Sequence, residues 1–352
     1  MDIKTEKTTL PKSSEEKSHF HGFDYLRVLF MMMVLLGHSN FFFEAALQRE
    51  KAVGSGPNFW DFIYYELQSA AVPSFVLMSM LLFAIRKPTW AKTVDRVKKL
   101  GYLYAFWVGA WVLCTKIRPE MSLLGLVEFF LRGGGWLFYT FATLILLTPV
   151  CWLATKLNKK QLVGAFIASV IIVLGTYYWI YKDFKWIAGD YYWLPSCFMM
   201  MPVVAVILIP YIPLLKENSK IRNIVVTLSL LIGVGLAIIE WQYHAPVELV
   251  NSERNWLTKF ARLSVHFVAL SLLIGSLSFK NKAPFIIRFF ARNSLGVYCL
   301  HPFMLGGLVG IVQSFTKYLS VPLSLFLGCL FSAVVCSILT EFLRKTFENR
   351  LV

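Results

Sequence analysis

The sequence predicts an all-α integral membrane protein, a bundle of about ten transmembrane helices with both termini in the cytoplasm. Three observations lead there. Of the 352 residues, 57% are hydrophobic and 16% charged, against about 25% charged in soluble domains; mean hydropathy is +0.61. The apolar residues fall into separate runs, each close to the ~20 residues that cross a bilayer. Lys and Arg gather in alternate connecting loops. A soluble core of this length cannot enclose so much apolar side chain, whereas in lipid the apolar faces can point outward.

Residues 1–22 are polar and rich in Lys, Ser, Glu and Thr, and read as a disordered cytoplasmic tail. A cleaved signal peptide does not fit, because the first apolar run starts late and no small-residue cleavage site follows it. A single transmembrane domain is expected over 23–345, with a short cytoplasmic tail over 346–352. The expected spans lie near 24–43, 65–85, 100–117, 135–155, 161–181, 191–214, 223–242, 257–279, 288–312 and 321–343. The run Met121–Leu131 is too short to cross and precedes three glycines, so it reads as an interfacial or re-entrant piece. With the N-terminus inside, alternation puts 23 Lys and Arg on the cytoplasmic side and 11 on the other, the positive-inside bias. That bias also accounts for the net charge of +15, which in a soluble protein would point to nucleic acid; no nucleic-acid partner is expected. The six cysteines are scattered, without CxxC spacing, and predict neither disulfides nor a thiolate metal site. Gly306 and Gly310 form a GxxxG, read as close helix packing.

Polar groups inside a bilayer are costly and are functional candidates by default. In the first span Arg27 and His38 are 11 residues apart, about three full turns, so both face one side, separated by about 16 Å along the axis. Arg27 belongs to the cytoplasmic end and His38 near the membrane middle. The ninth span repeats the layout. Arg288 and Arg292 mark its basic end, and Ser294, Tyr298 and His301 follow at i, i+4, i+7, one helical stripe. Both spans run outward, so the two histidines are expected at similar depth, sharing a polar cavity. Each also has a plainer reading: Arg27 as a snorkelling boundary residue, His38 as a core histidine bonded to a neighbouring helix, His301 as a partner for a carbonyl released by Pro302. In the loop before the third span, Arg86, Lys87, Lys92 and Lys98 read as topology signals. Arg96 and Lys99, at i, i+3 where that helix begins, would present one face to a phosphate-bearing ligand.

These residues resemble the acyltransferase 3 family of ten-helix membrane enzymes. Asp24-Tyr25-Leu26-Arg27 with Arg-x10-His ending at His38 resembles the family's first-helix motif. Arg96-Val97-Lys98-Lys99 is similar to its basic RxxR, with lysine for the second arginine. Ser294-x3-Tyr298-x2-His301-Pro302 is similar to a late-helix pattern, and Gly135-Trp136-Leu137-Phe138-Tyr139 to the opening of a middle helix. The likeness covers roughly 20–345. It implies transfer of an acyl group, usually acetyl, from cytoplasmic acyl-CoA to a hydroxyl of a cell-surface or lipid-linked glycan, by an enzyme of the inner membrane. The chain resembles the stand-alone form, without an added esterase-like domain.

On that reading Arg27, Arg96, Lys99 and Arg292 hold the phosphates of acyl-CoA. His38 serves as general base, or is itself acylated. Tyr298 and Ser294 donate to the developing oxyanion. His301 orients the acceptor or is itself the base; the sequence leaves the choice open. Acidic residues near the outer face, Glu44, Glu66, Glu128, Glu240, Glu248 and Glu253, with Trp136, Trp241 and Trp256, are candidates to line an acceptor cleft or to form an ordinary rim with an aromatic belt. No metal is expected, because the two histidines lack a third ligand at useful spacing; acyl-CoA is expected as a substrate rather than a resident cofactor. The competing class is a transporter or exporter of a polysaccharide or small polar solute. Against it stand the absence of paired broken helices and of an Asp/Glu chain in the spans.

Overall fold

The structure is a computed structural model that describes residues 20–42, 44–45, 59–115, 122–136, 138–183, 193–244, 260–316 and 318–347, the side chains of 135–136, 181–183 and 243–244 excepted. The tail expected over 1–22 falls almost wholly outside the described residues, as does most of the C-terminal tail. All regular structure among the described residues is helical. The longer helices are α1 (His21–His38), α2 (Phe59–Ala84), α3 (Trp90–Thr115), α4 (Leu123–Leu131), α5 (Tyr139–Ala154), α6 (Lys159–Asp183), α7 (Pro195–Glu217), α8 (Ser219–His244), α9 (Leu263–Ser276), α10 (Phe285–Phe315) and α11 (Val321–Thr346). Six of them, α2, α6, α7, α8, α10 and α11, are long and apolar enough to cross a membrane. Helices α5 and α9 are shorter, at 16 and 14 residues.

Local chemistry sets the boundaries. At the start of α6, Asn158 Oδ1 accepts from the Gln161 N–H and Gln161 Oε1 from the Asn158 N–H, each at 3.0 Å, a reciprocal capping box. Asn218 Oδ1 caps α8 through the Ile221 N–H at 3.0 Å, and Ser122 Oγ caps α4 through the Gly125 N–H at 3.0 Å. The expected interfacial piece is α4. It is followed by Gly133 and Gly134 with φ of 67° and 76°, a left-handed turn that favours glycine. A Cβ at Gly133 would run into the Phe138–Tyr139 backbone, so the tight return into α5 depends on it.

Exposure sorts the helices into centre and periphery. In α2, 72% of the apolar window is buried, against 17% in α6 and in α8. The outer helices present Ile167, Ile171, Leu228 and Leu231 outward, an apolar surface far beyond what a soluble monomer tolerates. At the centre α1 packs against α10 and α2, α10 against α11, and α2 against α7 and α9.

The GxxxG does not make the close helix contact expected of it. Among the described residues nothing lies within 4 Å of a Cβ built on Gly306 or Gly310, which sit off the buried stripe of α10 formed by Ser294, Val297, His301, Leu305 and Val309. Close approach of α10 and α11 uses other glycines: Gly296 meets the Thr340 side chain, and Gly328 lies against Val309.

Candidate active site

A cavity of about 360 Å³ opens between α1, α2, α3, α5 and α10. Arg27, Arg86 and Arg96 line it at what we term the basic end of the bundle, and Ser294, Tyr298 and Thr140 line it further along. Arg27 is ion-paired with Asp24 one turn earlier, at 3.4 Å. Arg96 reaches from α3 to α2, where it donates to Ser79 Oγ at 2.7 Å and lies 4.7 Å above the Phe83 ring. That stacking holds a planar guanidinium at the rim of a mostly apolar chamber.

The two histidines come together at the other end. His38 closes α1 and His301 projects from α10, with ring centroids 5.1 Å apart. The Tyr298 ring lies 5.8 Å from that of His301, which links the histidine pair to the cavity. His38 is exposed, whereas His301 is buried. The environment of His301 follows from its neighbour. Pro302 has no N–H, so the carbonyl four residues earlier, that of Tyr298, lacks its helical donor. His301 Nδ1 lies 2.7 Å from that carbonyl. A carbonyl only accepts, so Nδ1 carries the proton and the lone pair resides on Nε2. Nε2 is buried and has no hydrogen-bond partner among the described residues. The plain role considered for His301, partner to a released carbonyl, therefore coexists with a fixed tautomer and a basic nitrogen.

Two hydroxyl groups expected as oxyanion donors already donate elsewhere. Ser294 Oγ donates to the Ala291 carbonyl at 2.9 Å, and Tyr298 Oη to Thr140 Oγ1 at 3.1 Å. A group that the sequence does not single out lies against Gly37, the residue before His38. Gln68 ends a π-helical turn, Ile63–Gln68. A Cβ built on Gly37 would meet Gln68 Nε2 at 2.5 Å, so the amide lies against the backbone next to His38. Only the π-turn signals it, and π-turns concentrate at functional sites, but sequence spacing does not reveal one. Arg86 and Ser79 were likewise missed, the former as one cation among several in a basic loop.

Other candidates lie elsewhere. Lys99 is exposed and does not line the cavity; three residues from Arg96, it falls about 60° around the helix from a residue turned into α2. Arg292 is exposed, pairs with Glu341 at 2.9 Å, and lines a second cavity beside Arg27. Glu66 and Glu240 belong to an ionic cluster. Both are buried around Arg262, which donates to Glu66 Oε1 at 2.5 Å and lies 3.5 Å from Glu240 Oε2. Trp241 Nε1 also donates to Glu66 Oε1, at 2.9 Å. A carboxylate taken out of water needs such partners, and Arg262 was beyond reach of a local pattern. Glu128 pairs with Arg132 at 2.9 Å, and Glu44 is half-buried near the far end of α1. The Trp136 side chain, Glu248, Glu253 and Trp256 lie outside the described residues.

In comparison with known proteins, the acyltransferase 3 family model, described as an acyltransferase domain, matches residues 20–341. No curated protein and no solved structure matches the chain.

Proposed function

From the premise that the chain belongs to the acyltransferase 3 family, we propose that this membrane acyltransferase moves an acyl group, in the simplest case acetyl, from cytoplasmic acyl-CoA to a hydroxyl of a cell-surface or lipid-linked glycan. One observation carries the reading: a cavity with three guanidinium groups at one end and Tyr298 at the other, next to the histidine pair. Coenzyme A has that shape, with phosphates at one end and a thioester on a long flexible arm. Arg27, Arg86 and Arg96 bind phosphate by charge-assisted hydrogen bonds. The arm then follows the ~16 Å between Arg27 and His38.

The reaction joins the acceptor oxygen to the thioester carbon and breaks the C–S bond. The acceptor proton passes to an imidazole and from it to the departing thiolate. Exposed His38 is the group an acceptor meets, and His301 stands behind it with its lone pair fixed on Nε2. The Gln68 amide is a donor suited to the oxyanion.

We place the enzyme in the inner membrane with ten crossings, the six long apolar helices together with α1, α3, α5 and α9. Both termini and the basic end are then cytoplasmic, which brings the guanidinium groups to the side where acyl-CoA is made. The test uses purified protein in liposomes with radiolabelled acetyl-CoA and a panel of free and lipid-linked glycans. Label transferred to glycan, and reduced about 10²-fold or more in His38→Ala, is the expected result. Glycan flux across the vesicle wall without transfer of label would instead identify a carrier.

A further inference from the structure

A second cavity, of about 350 Å³, lies on the other side of Arg27 and is lined by Asp24, Arg27, Phe285, Arg288, Phe289 and Arg292. Three guanidinium groups face one carboxylate there. Arg288 is held by its Nε–H, which donates to the Ala283 carbonyl at 3.0 Å, leaving its two terminal nitrogens for a ligand. Arg292 is tethered by Glu341 at 2.9 Å. Phe285 is 73% exposed, and its ring stands 6.4 Å from that of Phe289 with the planes 28° apart. Both cavities share Arg27, but only the first leads to Tyr298 and the histidines.

We propose that this second cavity is a nucleotide subsite that recognises a phosphate separate from the one nearest the acyl arm, the 3′-phosphate of the coenzyme A nucleotide. The donor straddles Arg27. Its arm and pyrophosphate occupy the first cavity, against Arg27, Arg86 and Arg96. Its ribose 3′-phosphate lies between Arg288 and Arg292, where arginine forks suit a phosphate. Its base rests on the exposed Phe285 ring, a sequence-tolerant stacking surface. Two cavities that meet at one arginine fit a ligand with two separated anionic groups better than an acyl donor with one. The inference rests on the acyl-CoA reading and narrows the donor within it.

The test compares acetyl-CoA with 3′-dephospho-acetyl-CoA, using the full chain in liposomes of neutral phosphatidylcholine. The wild-type protein should show a KM at least about tenfold higher for the dephospho donor, as expected for loss of charge-assisted hydrogen bonds. Arg288→Ala and Arg292→Gln should raise the KM for acetyl-CoA and abolish the discrimination. Arg288→Lys, which keeps the charge, should retain part of it and shows that the variants fold. Equal use of both donors by the wild type would overturn the subsite while leaving the transferase reading intact; no transfer from either donor would overturn both. A third outcome distinguishes a lipid phosphate. If adding phosphatidylglycerol alters wild-type activity but not that of Arg288→Ala, and both donors serve equally, the cavity holds a lipid headgroup and the proposal fails.

Discussion

Pro302 shapes what His301 can do. By withholding a backbone N–H it leaves the Tyr298 carbonyl to the imidazole, and that bond fixes which ring nitrogen carries the lone pair. Pro302→Ala restores the helical donor and sets it in competition with Nδ1. The variant should be at least as thermostable as the parent, since proline within a helix is unfavourable, yet slower in acyl transfer, by less than the ~10²–10⁴-fold expected for His301→Ala. Transfer rates and thermal unfolding in detergent check both halves. Gly37 offers a second test at this scale. An added Cβ would meet Gln68 Nε2 at 2.5 Å, and the end of a flexible side chain can give way, so Gly37→Ala should fold and lose activity as the amide shifts beside His38. Gly37→Ala combined with Gln68→Ala removes the collision. If the double variant has the activity of Gln68→Ala alone, the damage runs through the amide; a further loss would point to the α1 backbone. Residues such as Arg27, His38, Tyr298 and His301 were legible in the sequence because each group occupies one helix, where spacing alone fixes relative direction. Gln68 was not, since a π-turn changes the register without leaving a sequence mark.

At the scale of elements, the hidden feature is the ionic cluster joining α2, α8 and the start of α9. Glu66, Glu240 and Arg262 are all buried, and Arg262 also donates to the Tyr65 carbonyl. Ser264 adds an N–H to Glu240 Oε1 at 3.3 Å. The sequence offers both carboxylates only as candidates for an acceptor cleft or an ordinary rim and does not show their partner, because 196 residues separate Glu66 from Arg262 and no periodicity links them. The helices themselves were legible: each of the ten apolar runs overlaps one of the helices, because hydropathy reports burial or lipid exposure without needing to know the neighbour. What packs against what depended on side chains facing each other, which is why the GxxxG misled and Gly296 did not stand out. The cluster predicts a graded loss of stability. Arg262→Met leaves two carboxylates buried side by side and should cost about 3–5 kcal/mol. Glu240→Gln keeps the Glu66–Arg262 pair and the contact with Ser264, and should cost clearly less. Thermal unfolding of purified variants ranks them; equal effects would mean that the pairing of Arg262 with Glu240, rather than with Glu66, carries the cluster.

For the whole molecule, the decisive relation is between the two ends of the bundle. Arg27, Arg86, Arg96 and Arg288 share one end although they come from three different helices and the turn after α2. Arg86 was read as a topology signal and Arg27 in part as a boundary residue, and a cation that orients a helix cannot be told by composition from one that also binds a ligand. The two functions would coincide physically: the rule that keeps Lys and Arg cytoplasmic also supplies positive charge where the proposed anionic donor arrives. With acyl-CoA as the proposed donor, orientation becomes a condition of the chemistry, because an inverted bundle would offer its arginines to the side that lacks it. Single reporter cysteines test it. Cys114, at the far end of α3, is exposed, whereas the other five cysteines are buried, so Cys114→Ser provides a quiet background. In intact cells a membrane-impermeant maleimide should label Tyr318→Cys, beyond the far end of α10, and should also label the natural Cys114. Lys98→Cys, exposed on the basic end, should react only after permeabilisation. The reverse pattern would place the guanidinium groups outside and remove the donor from reach. Labelling of all three from outside would mean that α3 does not cross, and that α1 and α10 hold the histidine pair in a bundle with fewer spans.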